Sequence, residues 1–197
     1  MRRNSLLAPV SAALAAVLLI AGGLLIWGSA YVHNTVQSQL ASQQITFPPA
    51  SAFAHPKAGG EITPSMIPLV SQYAGQQLLT GQQAEAYADH FIAVHLQNMT
   101  GGKTYSQLST ESQAQPNNTQ LANQVSTVFK GDTLRSMLLN AYGWWKVSQI
   151  TYIASLVAFG LGAIAAAASA YLFLARRRGS APQPPAGHET ITPAKTA

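Results

Sequence analysis

Hydrophobic positions in this chain are gathered into two runs, residues 6–27 and 147–175, neither of which carries a charged side chain. At about 1.5 Å of helical rise per residue they reach roughly 33 Å and 43 Å, against roughly 30 Å for the hydrocarbon core of a bilayer, so each is long enough to cross it. The second run is bounded by Trp144, Trp145 and Lys146 on one side and by Arg176, Arg177 and Arg178 on the other. Aromatic residues favour the membrane–water interface and clustered bases stay on the cytoplasmic side, so Trp27, Tyr31, Trp144, Trp145, Arg176, Arg177 and Arg178 are the expected membrane-interface residues. Arg2 and Arg3 precede the first run, which predicts both termini in the cytoplasm and the intervening segment outside. A signal-peptide apolar region is about 7–15 residues, so length favours a retained span. Gly28, Ser29 and Ala30 nevertheless resemble a small-residue cleavage site, which leaves a cleaved signal as the alternative.

Between the runs the pattern is helical. Val32, Val36 and Leu40 recur every four residues and extend the first helix outward until Phe47, Pro48 and Pro49 stop it. Residues 50–60 read as a loop. Thr63 and Pro64 read as a cap and first-turn proline for a helix through Met66, Leu69, Val70, Tyr73 and Leu78, ending near Gly81. Ala84, Tyr87, Phe91 and Val94 step by three and four over residues 82–99, predicting an amphipathic helix that Gly101 and Gly102 terminate. Residues 105–109 suggest a further short turn, and residues 111–119 a loop. A helix through Leu121, Val125, Val128 and Phe129 is expected to stop at Gly131, with Asp132 capping a long helix that runs into the second span. No alternation of period two is sustained, so no appreciable sheet is expected.

The predicted fold class is therefore an all-α membrane protein, two transmembrane helices flanking a mostly helical extracytoplasmic segment. Its layout is a cytoplasmic N-terminus at 1–5, the first transmembrane helix at 6–30, the extracytoplasmic segment at 31–146, the second transmembrane helix at 147–175 and a disordered cytoplasmic tail at 176–197.

Composition supports this layout: of 197 residues, 48% are hydrophobic and only 9% charged, ordinary for a small membrane protein and low for a soluble domain. The formal charge of +5 does not mark a nucleic-acid binder. Within the middle segment Lys57, Lys103, Lys130, Arg135 and Lys146 are balanced by Glu61, Glu85, Asp89, Glu111 and Asp132, and the surplus lies at the two ends, where it reports topology. Absence of cysteine excludes disulfides and Cys-ligated metal centres.

Candidate chemistry is sparse. Glu85, Asp89, His90 and His95 place possible metal ligands on one expected helix, but histidines five apart are separated by about 140° around it, unlike the four-residue pair of a metalloprotease helix. A solvated acidic face with interfacial histidines is the plainer reading. Gly101, Gly102, Lys103 and Thr104 resemble the end of a phosphate-binding loop, yet Gln97 stands where that motif needs glycine, and a helix stop followed by a polar turn explains them. No nucleophile elbow is present. Two asparagine sequons, beginning at Asn98 and Asn117, are read as chance in an alanine-rich, cysteine-free chain of bacterial style. On the second span Ala154, Ala158, Gly162, Ala166 and Ala170 recur every fourth residue, a small-residue ladder of the kind that lets helices pack closely in lipid. Ala12, Ala16 and Gly23 of the first span, or a second copy of the chain, are its possible partners.

Three stretches, VQSQLASQQITF at 36–47, YADHFIAVHL leading into GGKTYSQL at 87–108, and LRSMLLNAYGWW leading into SQITYIASLVAFG at 134–160, resemble in order a family of uncharacterised two-span actinobacterial membrane proteins. Members are sometimes labelled aromatic ring-opening dioxygenases, a label that implies a non-haem iron held by two histidines and a carboxylate. His90 and His95 are spaced badly for that, and His188 with Glu189 lies in the tail. The resemblance implies topology and lineage and brings no activity with it. The expectation is an integral plasma-membrane protein of structural, accessory or interaction type, without cofactor, whose partners are membrane lipid and a further copy or another membrane protein, not nucleic acid. An extracytoplasmic sensor binding a metal, a proton or a lipid is the alternative reading.

Overall fold

The computed structural model describes residues 3–56 and 62–179. Of the expected disordered tail, residues 176–179 instead continue the last helix, and residues 180–197, with His188 and Glu189, lie outside the described residues, as do Arg2, residues 57–61 of the expected loop and the side chains of Arg3 and Arg178. Helix α1 spans Arg3–Ser42, and short α2 (Ala50–Ala54) and α3 (Ile67–Val70) follow. Next come α4 (Gly81–Tyr87) and α5 (Ala93–Thr100), joined by a π-helical turn at Ala88–Ile92, then α6 (Tyr105–Ala114) and α7 (Thr119–Gly179). No strand occurs among the described residues; an isolated antiparallel bridge joins Thr46 to Gln77. Two stretches, Leu6–Ser42 and Thr119–Arg177, are long and apolar enough to cross a membrane.

The chain divides into two compact units, Met1–Ala21 with Val157–Ala197, called here the paired-helix unit, and Gly22–Leu156, the core unit. In the paired-helix unit α1 and α7 run antiparallel. Ser169 Oγ donates to the carbonyl of Ala8 at 2.9 Å, and a Cβ on Gly162 would lie 3.1 Å from the side chain of Leu19, so the backbones meet across small residues. Ala8, Ala15, Ala158 and Gly162 are buried in this seam.

This revises the expected ladder. Ala158 and Gly162 face α1, but Ala154, Ala166 and Ala170 are exposed. A stripe of period four advances about 40° per step on a helix of 3.6 residues per turn, so from Ala154 to Ala170 it winds roughly 160° and cannot face one partner. A seven-residue repeat runs through the buried positions instead, Ala8, Ala15, Gly22, Ser29 and Val36 on α1, and Ser148, Ser155, Gly162 and Ser169, the last half-buried, on α7, where Ala158 fills the step between Ser155 and Gly162. A seven-residue repeat drifts only about 20° per step, which a slight supercoil absorbs.

In the core unit, by contrast, the interior is built from large side chains. Phe47, Met66, Val70, Leu78, Leu108 and Val128 are almost wholly buried. Tyr73, Phe47, Tyr87, Phe91 and His95 form a continuous column of rings with centroids 4.8–5.3 Å apart. Phe47 is held there because its amide donates to Gln76 O at 2.9 Å and the amide of Leu78 donates to Ile45 O at 2.8 Å.

That pairing explains the first correction inside the segment. Residues 74 and 75 turn, residues 76–80 are extended rather than helical, and Gly81 begins a helix instead of ending one. Thr80 caps it: Gln83 N–H donates to Thr80 Oγ1 at 3.2 Å while Thr80 N–H donates to Gln83 Oε1 at 3.0 Å, a reciprocal capping box. Thr104 and Gln107 repeat the arrangement at the start of α6, which runs on to Ala114 and takes in part of the stretch expected to be a loop. Gly101, with φ of 62°, ends α5 in the left-handed conformation as its spacing predicts. Gly131 does not break α7. A Cβ there would sit 2.7 Å from Leu96 Cδ2, so the glycine admits a neighbouring side chain and the helix passes through it. Residues 50–54, expected as loop, form the single turn α2.

Candidate functional site

The proposed ligand residues are not brought together. Asp89 lies in the π-helical turn, and its Oδ1 accepts from Arg135 Nη2 of α7 at 2.6 Å. His95 Nδ1 lies 3.2 Å from the carbonyl of Phe91, one turn back, and its ring stacks on Phe91. Its Nε2 is buried with no hydrogen-bond partner among the described residues. Glu85 and His90 are half-buried on the same rod. Among the described residues no group of three His, Asp or Glu side chains converges as a metal ion requires. Lys103, in the stretch resembling a phosphate-binding loop, is engaged by Glu111, with Nζ 2.7 and 2.8 Å from the carboxylate oxygens.

The interface residues divide. Trp27 and Tyr31 are exposed and stack on one another at 5.9 Å, and Trp144 is exposed. Arg176 and Arg177 are exposed, the guanidinium of Arg177 lying 4.6 Å over the ring of Phe173. Trp145 is the correction: only 5% of it is accessible, and it belongs to the core. Its place is made by Gly81, where a Cβ would fall 2.4 Å from Trp145 Cβ and Cγ. On another side the ring of His33 packs against it, centroids 4.0 Å apart and planes inclined by 36°. Adjacent tryptophans on a helix point about 100° apart, so a helix with one buried face sends the pair to different surroundings.

In front of this wall lies a groove of about 710 Å³ in the core unit. Helix α1 contributes Ile26, Ser29, Ala30, His33 and Asn34, at helical spacings of three and four, and α7 contributes Ser148, Gln149, Tyr152 and Ile153. Its floor is fixed by hydrogen bonds: Ser29 Oγ donates to Ser148 O and Ser148 Oγ to Trp145 O, both at 2.7 Å. The pairing of Ser29 with Ser148 and of His33 with Trp145 makes the helices antiparallel here. Tyr152 and Ile153 therefore lie level with Ile26 at one end, and His33 and Asn34 stand at the other. Polarity changes along the groove from apolar to hydrogen-bonding over about 12 Å, taking 1.5 Å of rise per residue from Ile26 to Asn34. No acid lines it. His33 has no role in the sequence reading above. The signal was present in Ile26, Ala30, His33 and Asn34 sharing one helix face, but the α7 side of the groove becomes visible only when the helices are paired.

A second hollow, on the paired-helix unit, is walled by Ala12, Ala16, Ala166 and Ala170, which is where two members of the expected ladder go. No protein-family model matches the chain, and no curated protein or solved structure matches it either.

Proposed function

We propose that this chain is an integral plasma-membrane protein of accessory or interaction type, anchored by residues 6–30 and 147–175, with its helical segment outside the cytoplasm. The observation that carries the membrane assignment is the distribution of side chains in the paired-helix unit. Small residues fill the seam, while Leu14, Val17, Ile20, Leu161, Ile164 and Leu174 face away from it. Only 11% and 17% of an apolar 18-residue window in each of the two helices is buried within the molecule, the reverse of a soluble core helix. A surface of that kind is stable in hydrocarbon and not in water. Arg3, Arg176 and Arg177 at the ends of the helices favour a cytoplasmic placement of both termini. The ordered resemblance to two-span membrane proteins supports the same topology.

The interaction role rests on the core unit. Phe129 and Met137 of α7 are exposed together with Tyr105, whose ring lies 5.6 Å from that of Phe129, and the side chains around them are Asp132, Thr133, Ser136 and Asn140. Large apolar side chains grouped on a polar surface mark a contact with another protein. The test is mild extraction of a tagged copy from its own membrane, followed by sizing and mass spectrometry. A stoichiometric partner or a second copy, lost in a Phe129→Ser, Met137→Ser variant, is expected. A lone chain that keeps its size in that variant overturns the role. Topology is read separately: a single cysteine at Asn117 should react with an impermeant maleimide in intact cells, and one at Ser180 should not.

A further inference from the structure

We propose that the groove between α1 and α7 in the core unit holds one glycerophospholipid as a resident ligand. The inference rests on the membrane reading above and adds a specific site to it. Three features of the groove are those of a built amphiphile site. Its His33 wall is backed by Trp145, which packs against Gly81 on its other side. Its floor hydroxyls are consumed by the Ser29 and Ser148 bonds, which leaves the floor apolar in character. Its far end carries His33 and Asn34, Gln149 stands midway at the level of Ser29, and among the described residues the carboxamides of Asn34 and Gln149 make no hydrogen bond.

The polarity gradient selects the class of occupant. A polar soluble ligand would leave Ile26 and Ile153 facing its own hydrogen-bonding groups, and an apolar helix of a partner would leave His33, Asn34 and Gln149 unpaired wherever it excluded water. A diacyl glycerophospholipid matches both ends at once. Its ester and phosphate oxygens are acceptors for the imidazole and carboxamide donors, and its acyl chains continue past Ile26 and Ile153. The absence of any carboxylate from the lining suits an acceptor-rich headgroup, and Lys146, whose ammonium lies 5.5 Å over the ring of Tyr142, supplies a cation within one helical turn of Gln149. Trp27 and Tyr31, exposed on the same stretch of α1, set the level of the groove at the membrane interface, where a lipid headgroup lies.

The experiment is native mass spectrometry of the full chain extracted from its own membrane in mild detergent. The comparison variants are Ala30→Trp, whose side chain would occupy the groove, and Ala154→Trp, equally exposed on α7 but outside it. A species carrying a single phospholipid, surviving repeated delipidation in wild type and A154W and reduced about tenfold or more in A30W, is expected. Delipidated protein returned to phosphatidylglycerol vesicles should regain the adduct. If A30W does not fold, the Asn34→Ala, Gln149→Leu variant provides the same reading from the polar end. A graded series of lipids that washes off equally from all variants means shell lipid only and overturns the proposal, as does a retained molecule that is not a phospholipid. Membrane fractionation separates the two readings: a chain absent from washed membranes fails the membrane assignment, whereas one present there without a retained lipid fails the groove alone.

Discussion

In the paired-helix unit Ala8, Ala15 and Gly162 point inward while Leu14, Val17 and Ile164 point outward; in the core unit Phe47, Met66 and Leu78 point inward while Gln43, Gln113 and Asn117 point outward. The same two helices, α1 and α7, take part in both patterns. Burying large apolar groups is what water rewards, at roughly 25 cal/mol per Å². In hydrocarbon that reward vanishes, and close backbone approach with satisfied hydroxyls decides which residues go inside. On the membrane reading proposed above, the size of the buried side chains in each unit follows from its solvent.

The sharpest way to break this comparison is a charge on the outward face of the paired-helix unit. Ile164 is 68% exposed, so in a soluble protein Ile164→Lys would be harmless. Facing lipid it should cost about 2.5–3.5 kcal/mol of insertion, read as loss of the chain from carbonate-washed membranes, while Gln113→Lys leaves the membrane fraction unchanged. Equal behaviour of the two variants would refute the lipid-facing assignment.

Next in size is a contrast between glycines. Gly81→Ala forces a methyl group against Trp145 and should destabilise the core unit by about 1–3 kcal/mol. Gly143, where an added Cβ meets nothing within 4 Å, should gain up to about 1 kcal/mol as alanine from helix propensity. Thermal melts followed by tryptophan fluorescence should move in opposite directions, and parallel shifts would contradict the packing described.

Smaller effects test the seam and the ion pair. Ser29→Ala and Ser169→Ala each remove a hydroxyl that bridges α1 and α7 and should cost about 0.5–1.5 kcal/mol apiece in detergent denaturation. Asp89→Asn should cost at most about 1 kcal/mol, because the Asp89 and Arg135 side chains are more than a third exposed and solvent screens them. A much larger loss on denaturation would mean that Arg135 holds the π-helical turn in place.

The sequence shows the helices most clearly where periodicity alone decides them. The two long apolar runs, the helix over 82–99 and its glycine stop are legible because nothing distant competes with the local pattern. Residues 76–80 are not, since their extended form depends on Ile45 and Phe47, some thirty positions earlier. Gly131 reads as a stop because helix propensity is local, whereas Leu96, the reason for the glycine, arrives from another helix. The alanine ladder is half right: Ala158 and Gly162 face α1, but a stripe of period four winds around the helix and leaves Ala154, Ala166 and Ala170 exposed. Both capping boxes, by contrast, stand in the sequence as Thr-x-x-Gln and needed only to be looked for. The groove was half legible, one face being local to α1 and the other brought by α7.

Those capping boxes have a consequence for the conditions in which the core unit can live. Each uses glutamine at the position where glutamate would serve equally well. A carboxylate there takes up a proton as its surroundings acidify and gives up much of its hold on the cap amide; a carboxamide has no such transition. Helices α4 and α6 thus begin on bonds that acidity does not touch, a useful property for a segment proposed to face the exterior, where the cell does not buffer the medium.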